Sequence, residues 1–383
     1  MQRSKFIICL ILVATIGVAC SSSEEKQEVN LKLDDFQTYT IDVDATPVRF
    51  SEQVEAVEVT YLEETEASLL DYSYRMSLFE DKLVFPSGRK GDVYVYSRQG
   101  EYISHFNHKG DGPGEYSDYN GIWMTGDTVV IFNHGKQALL YYDLDGQHLK
   151  TRKLSHMAAH ATNQKGKLLF DMNMQLIDDS LRYQLMVENE AGERKGLYIP
   201  YKNLLPFSVF SSLSSFQPYG DYLTFQPGLQ DTVYLIKPGE ITPLLSLDFS
   251  VGYYWNDEAI FERGPAALEL IEDRGQVWNF WTNVGPEHVY VTFTTSYTNA
   301  FRGLIHRSTG AFIPLHFRQK GGEDYKLVMI TKNEDRFLFS LRPTQVRAFL
   351  AELNPGQVQF SQGSTLEKIE ASENPTLLWV KFK

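Results

Sequence analysis

Cysteine is nearly absent from this chain of 383 residues: there are two, Cys9 and Cys20. Cys9 falls inside an apolar N-terminal stretch that reads as a removable leader, so a mature chain would keep one cysteine, at its first position. That excludes a disulfide within the chain and a cysteine-ligated metal centre. Positive charge is also in short supply. Lys and Arg number 36 against 49 Asp and Glu, for a net charge of −13, two units more negative without Arg3 and Lys5. Such a balance argues against nucleic acid as a partner and against attachment to anionic lipid through a basic patch. No HExxH, CxxC, GxSxG or Walker-type loop occurs, so the motifs that announce hydrolysis or nucleotide binding are missing. A chain with no bridges must be held by its apolar core, and 43% hydrophobic residues supply one.

What is present begins with an address. Arg3 and Lys5 precede an apolar stretch, Phe6 to Val18, too short for the ~30 Å of a bilayer core at ~1.5 Å per residue. It ends in Gly17-Val18-Ala19-Cys20. This resembles a bacterial lipoprotein signal, with Gly17 where Leu is usual; the alternative is a secretory signal cut at Ala19. Residues 1–19 are then the signal peptide, and acyl chains on Cys20 would be the membrane attachment. Residues 20–38 read as an acidic flexible tether, because Ser21 to Glu28 holds nothing to bury. The acidic run also resembles surface-export signals of lipoproteins in the Bacteroidota. The implied location is the outer membrane, on its periplasmic or outer side.

The remainder, 39–383, carries one pattern six times: an apolar run ending in Phe, then a turn glycine 14 to 22 residues on. The pairs are Phe85/Gly100, Phe132/Gly146, Phe170/Gly192, Phe225/Gly239, Phe293/Gly310 and Phe339/Gly356, with glycines 46, 46, 47, 71 and 46 residues apart. Runs such as Val129-Val130-Ile131-Phe132, Leu139-Leu140-Tyr141-Tyr142 and Phe349-Leu350 suit short strands buried on both faces. Repeated antiparallel units of ~40–50 residues predict an all-β, six-bladed β-propeller. The β-prone segments Val54 to Leu62 and Leu377 to Phe382 are expected to share one blade and close the ring. The long glycine spacing holds an insertion, about 250–280, between blades four and five. Its stretch Ala266 to Glu272 predicts a short helix, flanked by Trp255, Trp278 and Trp281.

At Gly110-Asp111-Gly112-Pro113-Gly114-Glu115-Tyr116 the chain resembles the link of an NHL-type repeat. With the leader and the terminal Trp379-Val380-Lys381-Phe382, it resembles the six-bladed propeller lipoproteins of the Bacteroidota, which are similar to TolB-like propellers. The resemblance implies a fold and an envelope location and transfers no activity to individual residues. Read physically, the three glycines let the chain reverse between blades and Pro113 stiffens the path. A phosphate cradle would need a helix next, and Ser117 to Gly121 offers none.

Candidate chemistry is sparse. His306 to Gly310 lacks the first glycine of a nucleophile elbow and reads as a repeat turn. His156 and His160 stand four apart, as zinc ligands on a helix would, with no acid beside them to complete a set. The adjacent acids Asp34-Asp35, Glu63-Glu64, Asp178-Asp179 and Glu323-Asp324 point apart in extended chain and read as solvated charge. No resident metal is expected, and calcium in the propeller loops is left open, because six-bladed lactonases and similar enzymes hold it there with Asp, Asn and Glu. The loops after the Phe-ending strands share one end by repeat symmetry. They carry Arg89, Lys90, His134, Lys136, Asn173, Gln226, Tyr297 and Arg342, a candidate ring for an anionic or polar ligand. The insertion's Trp255, Trp278 and Trp281 form a candidate aromatic surface for a glycan or protein. The reading is a non-enzymatic ligand- or protein-binding or scaffold lipoprotein of the cell envelope. The alternatives are a metal-dependent hydrolase or lyase of the six-bladed type and a glycan-binding accessory protein.

Overall fold

The computed structural model describes residues 36–70, 76–87, 91–178, 180–203, 214–320 and 322–383. Their strands form six sheets arranged as the blades of a propeller. Blade one is Ser77–Phe79, Lys82–Ser87, Asp92–Ser97 and Tyr102–Asn107, each strand antiparallel to the next. Blades two to five repeat this order, with innermost strands Gly121–Thr125, His160–Gln164, Phe216–Tyr219 and Asn279–Val284.

The repeated phenylalanines have one structural address. Phe85, Phe132, Phe170, Phe225, Phe293 and Phe339 all lie in the second strand of their blade, and none is more than 1% exposed. Both faces of these strands are covered. In Thr128–Asn133, Val129 and Ile131 join the apolar cluster shared with blade one, while Val130 and Phe132 join the one shared with blade three. Six such clusters exist, one at each junction between neighbouring sheets. The alternation of strand side chains thus feeds two cores from one strand, which is why these runs are continuously apolar. Burying one such side chain is worth about 1.5–3 kcal/mol.

Five of the six glycines also share an address, the hairpin between third and fourth strands. Gly100, Gly146, Gly192, Gly239 and Gly310 have φ of +90°, +83°, +86°, +83° and +72°, the left-handed region that tight hairpins need. At Gly100 a Cβ would also run into the carbonyl oxygen of Tyr61.

The sixth pair departs from the pattern. Phe349-Leu350 is not a strand but the end of a helix, Pro343–Leu350, and Gly356 lies in a 3-10 turn, Pro355–Gln357, without positive φ. Pro343 opens that helix, where its missing N–H costs nothing. Val346 and Phe349 are buried from it, at the i,i+3 spacing that shares one helix face. The third strand of blade six comes instead from the C-terminus, Thr376–Phe382, and the fourth from the N-terminal Val54–Thr60. They pair antiparallel, Leu378 opposite Val59 and Val380 opposite Val57. The ring is therefore closed by chain ends within one sheet.

The N-terminal segment does more than close the ring. Gln37–Ile41 adds a parallel strand to the outer edge of blade four and Val48–Arg49 one to blade five. Val358–Phe360 does the same for blade six. These additions cover edges that would otherwise offer unpaired backbone groups.

Between blades four and five, a 3-10 run Glu258–Leu270, kinked at Gly264-Pro265, continues into a short helix, Ile271–Arg274. The Asp257 side chain caps the run by accepting from Ala259 N, and Arg274 binds Asp257 from its far end at 2.8 Å.

Removing residues 375–383 would take away the middle strand of the closing blade, with buried Leu377, Leu378, Trp379, Val380 and Phe382. At about 1.5–3 kcal/mol each, their loss is comparable with a domain's whole stability of about 5–15 kcal/mol. The truncated protein is expected to lose its cooperative thermal transition. A melt superimposable on that of the full chain would contradict closure by this strand.

Candidate functional site at the mouth of the central channel

Loops after the second strands and the links between blades lie at one end of the propeller. Here the inner strands of blades three to six surround a cavity of about 70 Å³, lined among others by His160, Asp171, Gln217, Trp281 and Asn283. It adjoins a channel cavity of about 260 Å³, with which it shares Ser214, Gln217 and Ile330.

The polar groups at this mouth differ in how they are used. His160 and Asp171 are 2% and 3% exposed. Asp171 Oδ2 lies 3.5 Å from His160 Nδ1, and Ser215 Oγ lies 3.3 Å from the same nitrogen. A nucleophilic serine needs its base on one ring nitrogen and the orienting acid on the other. Here Ser215 and Asp171 both face Nδ1. Gln226 is a clamp: its amide donates to Phe280 O at 2.6 Å and accepts from both N and Oγ1 of Thr282 at 3.0 Å, tying blade four to blade five. Asn283 is different. It is 8% exposed, and its Oδ1 has no hydrogen-bond partner among the described residues. The rim is also conformationally strained. Asn173, Met174 and Leu229 have φ of +44°, +60° and +61°, a region costing about 1–2 kcal/mol per residue without glycine.

The other residues of the expected ring are spread out. Arg89 and Lys90, like Cys20, lie outside the described residues. The Lys136 ammonium donates to the carbonyls of Gly110, Gly112 and Glu115 at 3.0, 3.2 and 2.8 Å, so it knots the glycine-rich link. Glu115 folds back to accept from Gly112 N at 2.7 Å, and Tyr116, fully buried, donates to Gly91 O. The GPGEY motif is thus an interblade fastener. His134 accepts the same kind of anchoring, its N–H donating to Asp118 Oδ1 at 2.7 Å. Tyr297 is exposed but tied to the insertion through Leu268 O and Glu272. Arg342 precedes the blade-six helix and lines a separate groove between blades five and six.

The three insertion tryptophans do not share a surface. Trp255 is 3% exposed and its indole N–H donates to Trp278 O at 2.7 Å; Trp278 in turn donates to Ser296 O at 3.2 Å. Both belong to the insertion's own core, while Trp281 lies on the inner strand of blade five and lines the channel mouth. His156 and His160 are not on one helix and turn to different acids, Glu188 and Asp171. Burial, with Arg152 nearby, pushes the His156 pKa down to about 4, so its ring is neutral at pH 7. Among the described residues no group of three or more His, Cys, Asp or Glu is arranged to hold a metal ion. No helix among them is long and apolar enough to cross a membrane.

A family model described as a domain of unknown function, DUF4934, matches residues 38–381, the propeller almost from end to end. The chain belongs to the DUF4934 family. A candidate exported protein of Bacteroides fragilis NCTC 9343 is similar in structure, with a TM-score of 0.70 at 15% identity, over 90% of this chain and 99% of its own. A DUF4221-family protein of Bacteroides vulgatus gives 0.47 at 13% identity, covering 86% and 97%. Virginiamycin B lyase from Staphylococcus aureus gives 0.39 at 12%, covering 79% of each. At 15% identity the Bacteroides fragilis likeness speaks to the fold alone. No curated protein matches the chain.

The far ends of the same inner strands hold a feature of this DUF4934 propeller that sequence reading missed. Lys332, 2% exposed, places its ammonium 5.4 Å from the ring centre of Tyr219, so blades six and four meet across the channel. Arg307 donates to Tyr219 Oη at 2.7 Å and to Gly285 O at 3.1 Å. Among the described residues no carboxylate pairs with Lys332. Burial, with Arg307 beside it, pushes the Lys332 pKa down to about 7. Between pH 7 and the ordinary lysine value near ~10.5, the unfolded chain binds more protons than the folded one, so stability rises with pH across that window. Below it the cost of the buried ammonium is constant. Lys332→Met is expected to stabilise the protein at pH 7 by on the order of 1–4 kcal/mol, and to flatten the rise from pH 7 to 10. Denaturant titrations at three pH values check this; an unchanged pH slope would contradict it.

Proposed function

We propose that the protein is a non-catalytic binding lipoprotein of the cell envelope that holds a small polar ligand at the mouth of its channel. The observation that carries the binding half is Asn283 Oδ1, buried without a partner among the described residues at a cavity where four blades converge. Leaving such an acceptor unmet costs about 1–3 kcal/mol, and a ligand donor would recover it. The strained rim at Asn173, Met174 and Leu229 supports the same place, since strain of this kind collects at binding sites.

Replacing Asn283 by Leu tests the site. The variant is expected to melt higher than wild type when both are empty, by the equivalent of about 1–3 kcal/mol. In thermal-shift measurements against free amino acids, monosaccharides and dicarboxylates, at least one class should raise the wild-type Tm and leave the variant's unmoved. A wild type that none of these classes moves, or a variant that responds like it, contradicts the reading.

The envelope half rests on the leader: Arg3 and Lys5, the apolar Phe6 to Val18, and Ala19-Cys20. In a Gram-negative host the full chain should incorporate labelled palmitate and sediment with membranes, and Cys20→Ser should do neither. Membrane retention of the Cys20→Ser protein contradicts lipid attachment.

A further inference from the structure

The groove between blades five and six, about 1190 Å³, is set against the charge of the rest of the chain. Arg302, Arg318, Lys326 and Arg342 line it, with two acids, Asp324 and Glu373. Arg318 lies 3.8 Å from Asp324, but Arg302, Lys326 and Arg342 make no ion pair among the described residues. In a protein of net charge −13, four cations against two acids around one cavity are a local reversal of sign. Their positions are held. Arg302 stacks its guanidinium 4.9 Å from the ring centre of Phe317. Arg342 is fixed at the start of the blade-six helix, and the Lys326 backbone donates to Gln345 at 2.8 Å.

The floor is apolar. Leu315, Phe317, Leu327 and Leu341 are part of its lining, with Arg302 over the Phe317 ring, and are 6%, 7%, 5% and 1% exposed. The aromatic rings are edge-packed and buried, Phe317 on Phe50 and Tyr325 on Phe349, so no flat aromatic face is presented to a sugar. Cations over an apolar trough match a chain whose acidic side chains reach the rim while apolar ones face inward.

We infer that this groove docks an acidic, partly apolar peptide segment of a partner protein. The site is separate from the channel mouth and stands or falls independently of it.

Fluorescence anisotropy with the full chain and a fluorescein-labelled decapeptide alternating Glu and Leu tests the inference. Binding is expected to weaken about tenfold or more between 50 and 300 mM salt, as exposed charge pairs are screened. Arg302→Glu with Arg342→Glu should weaken it about tenfold or more again. Arg342→Glu alone, at an exposed position, should weaken it about threefold with an unchanged melt, which guards against a double variant that fails to fold. A decapeptide alternating Lys and Leu should not bind, and Asn283→Leu should bind as wild type. Equal binding of the two peptides, binding indifferent to Arg342→Glu, or binding of polygalacturonate in place of the acidic peptide would overturn the inference.

Discussion

Every sheet of this protein is apolar on both faces, and no sheet can cover both by itself. That constraint dictates the rest. A strand such as Thr128–Asn133 sends alternate side chains into two different junctions, so each blade is stable only between two neighbours. A linear stack would leave two apolar ends open to water. Closing the ring removes them, and it also requires that the first and last strands belong to one blade. The pairing of Thr376–Phe382 with Val54–Thr60 meets that requirement with backbone hydrogen bonds along a whole strand.

The same constraint explains what was legible in the sequence. A phenylalanine at the end of the second strand sits where two blades converge, and a glycine at the third hairpin supplies a conformation other residues resist; both recur because the geometry recurs. Blade six broke the pattern because its third strand comes from the chain's end, leaving Phe339 followed by a helical excursion. Phe349-Leu350 is apolar for a helix's reason, and one short apolar run does not distinguish the two. The parallel edge strands, Gln37–Ile41 and Val48–Arg49, had no signal, because five residues or fewer carry little periodicity.

The site was less legible, for a different reason. Residue type says that Lys136 and Gln226 are polar and near one end of the ring; it does not say whether their hydrogen-bonding capacity is already spent. Lys136 spends its ammonium on three carbonyls of the glycine-rich link, and Gln226 spends its amide on the next blade. Asn283 at the mouth, whose Oδ1 has no partner among the described residues, and Lys332 deeper in the channel, which no carboxylate among them pairs, lie within inner strands. There a polar residue looks like one more step of a β pattern. Only three-dimensional bookkeeping of donors and acceptors separates a fastener from a vacant acceptor.

The two ends of the propeller are unlike for a physical reason. One end is made of hairpins, whose turns must match the twist of the strands they join. Glu80, Gly126, Lys165, Gly220 and Glu334 all open two-residue turns with positive φ between +50° and +57°, leaving no room for insertions. The other end carries connections that must only reach the next strand. Their length is unconstrained, so the GPGEY fastener, the insertion after blade four, the helical excursion of blade six, the strained rim and the cationic groove all accumulate there. Surface can be added at that end without disturbing the junctions beneath it, because each addition leaves the alternation of the core strands intact. The ring's stability and the freedom of its surface to vary are therefore separated along its axis.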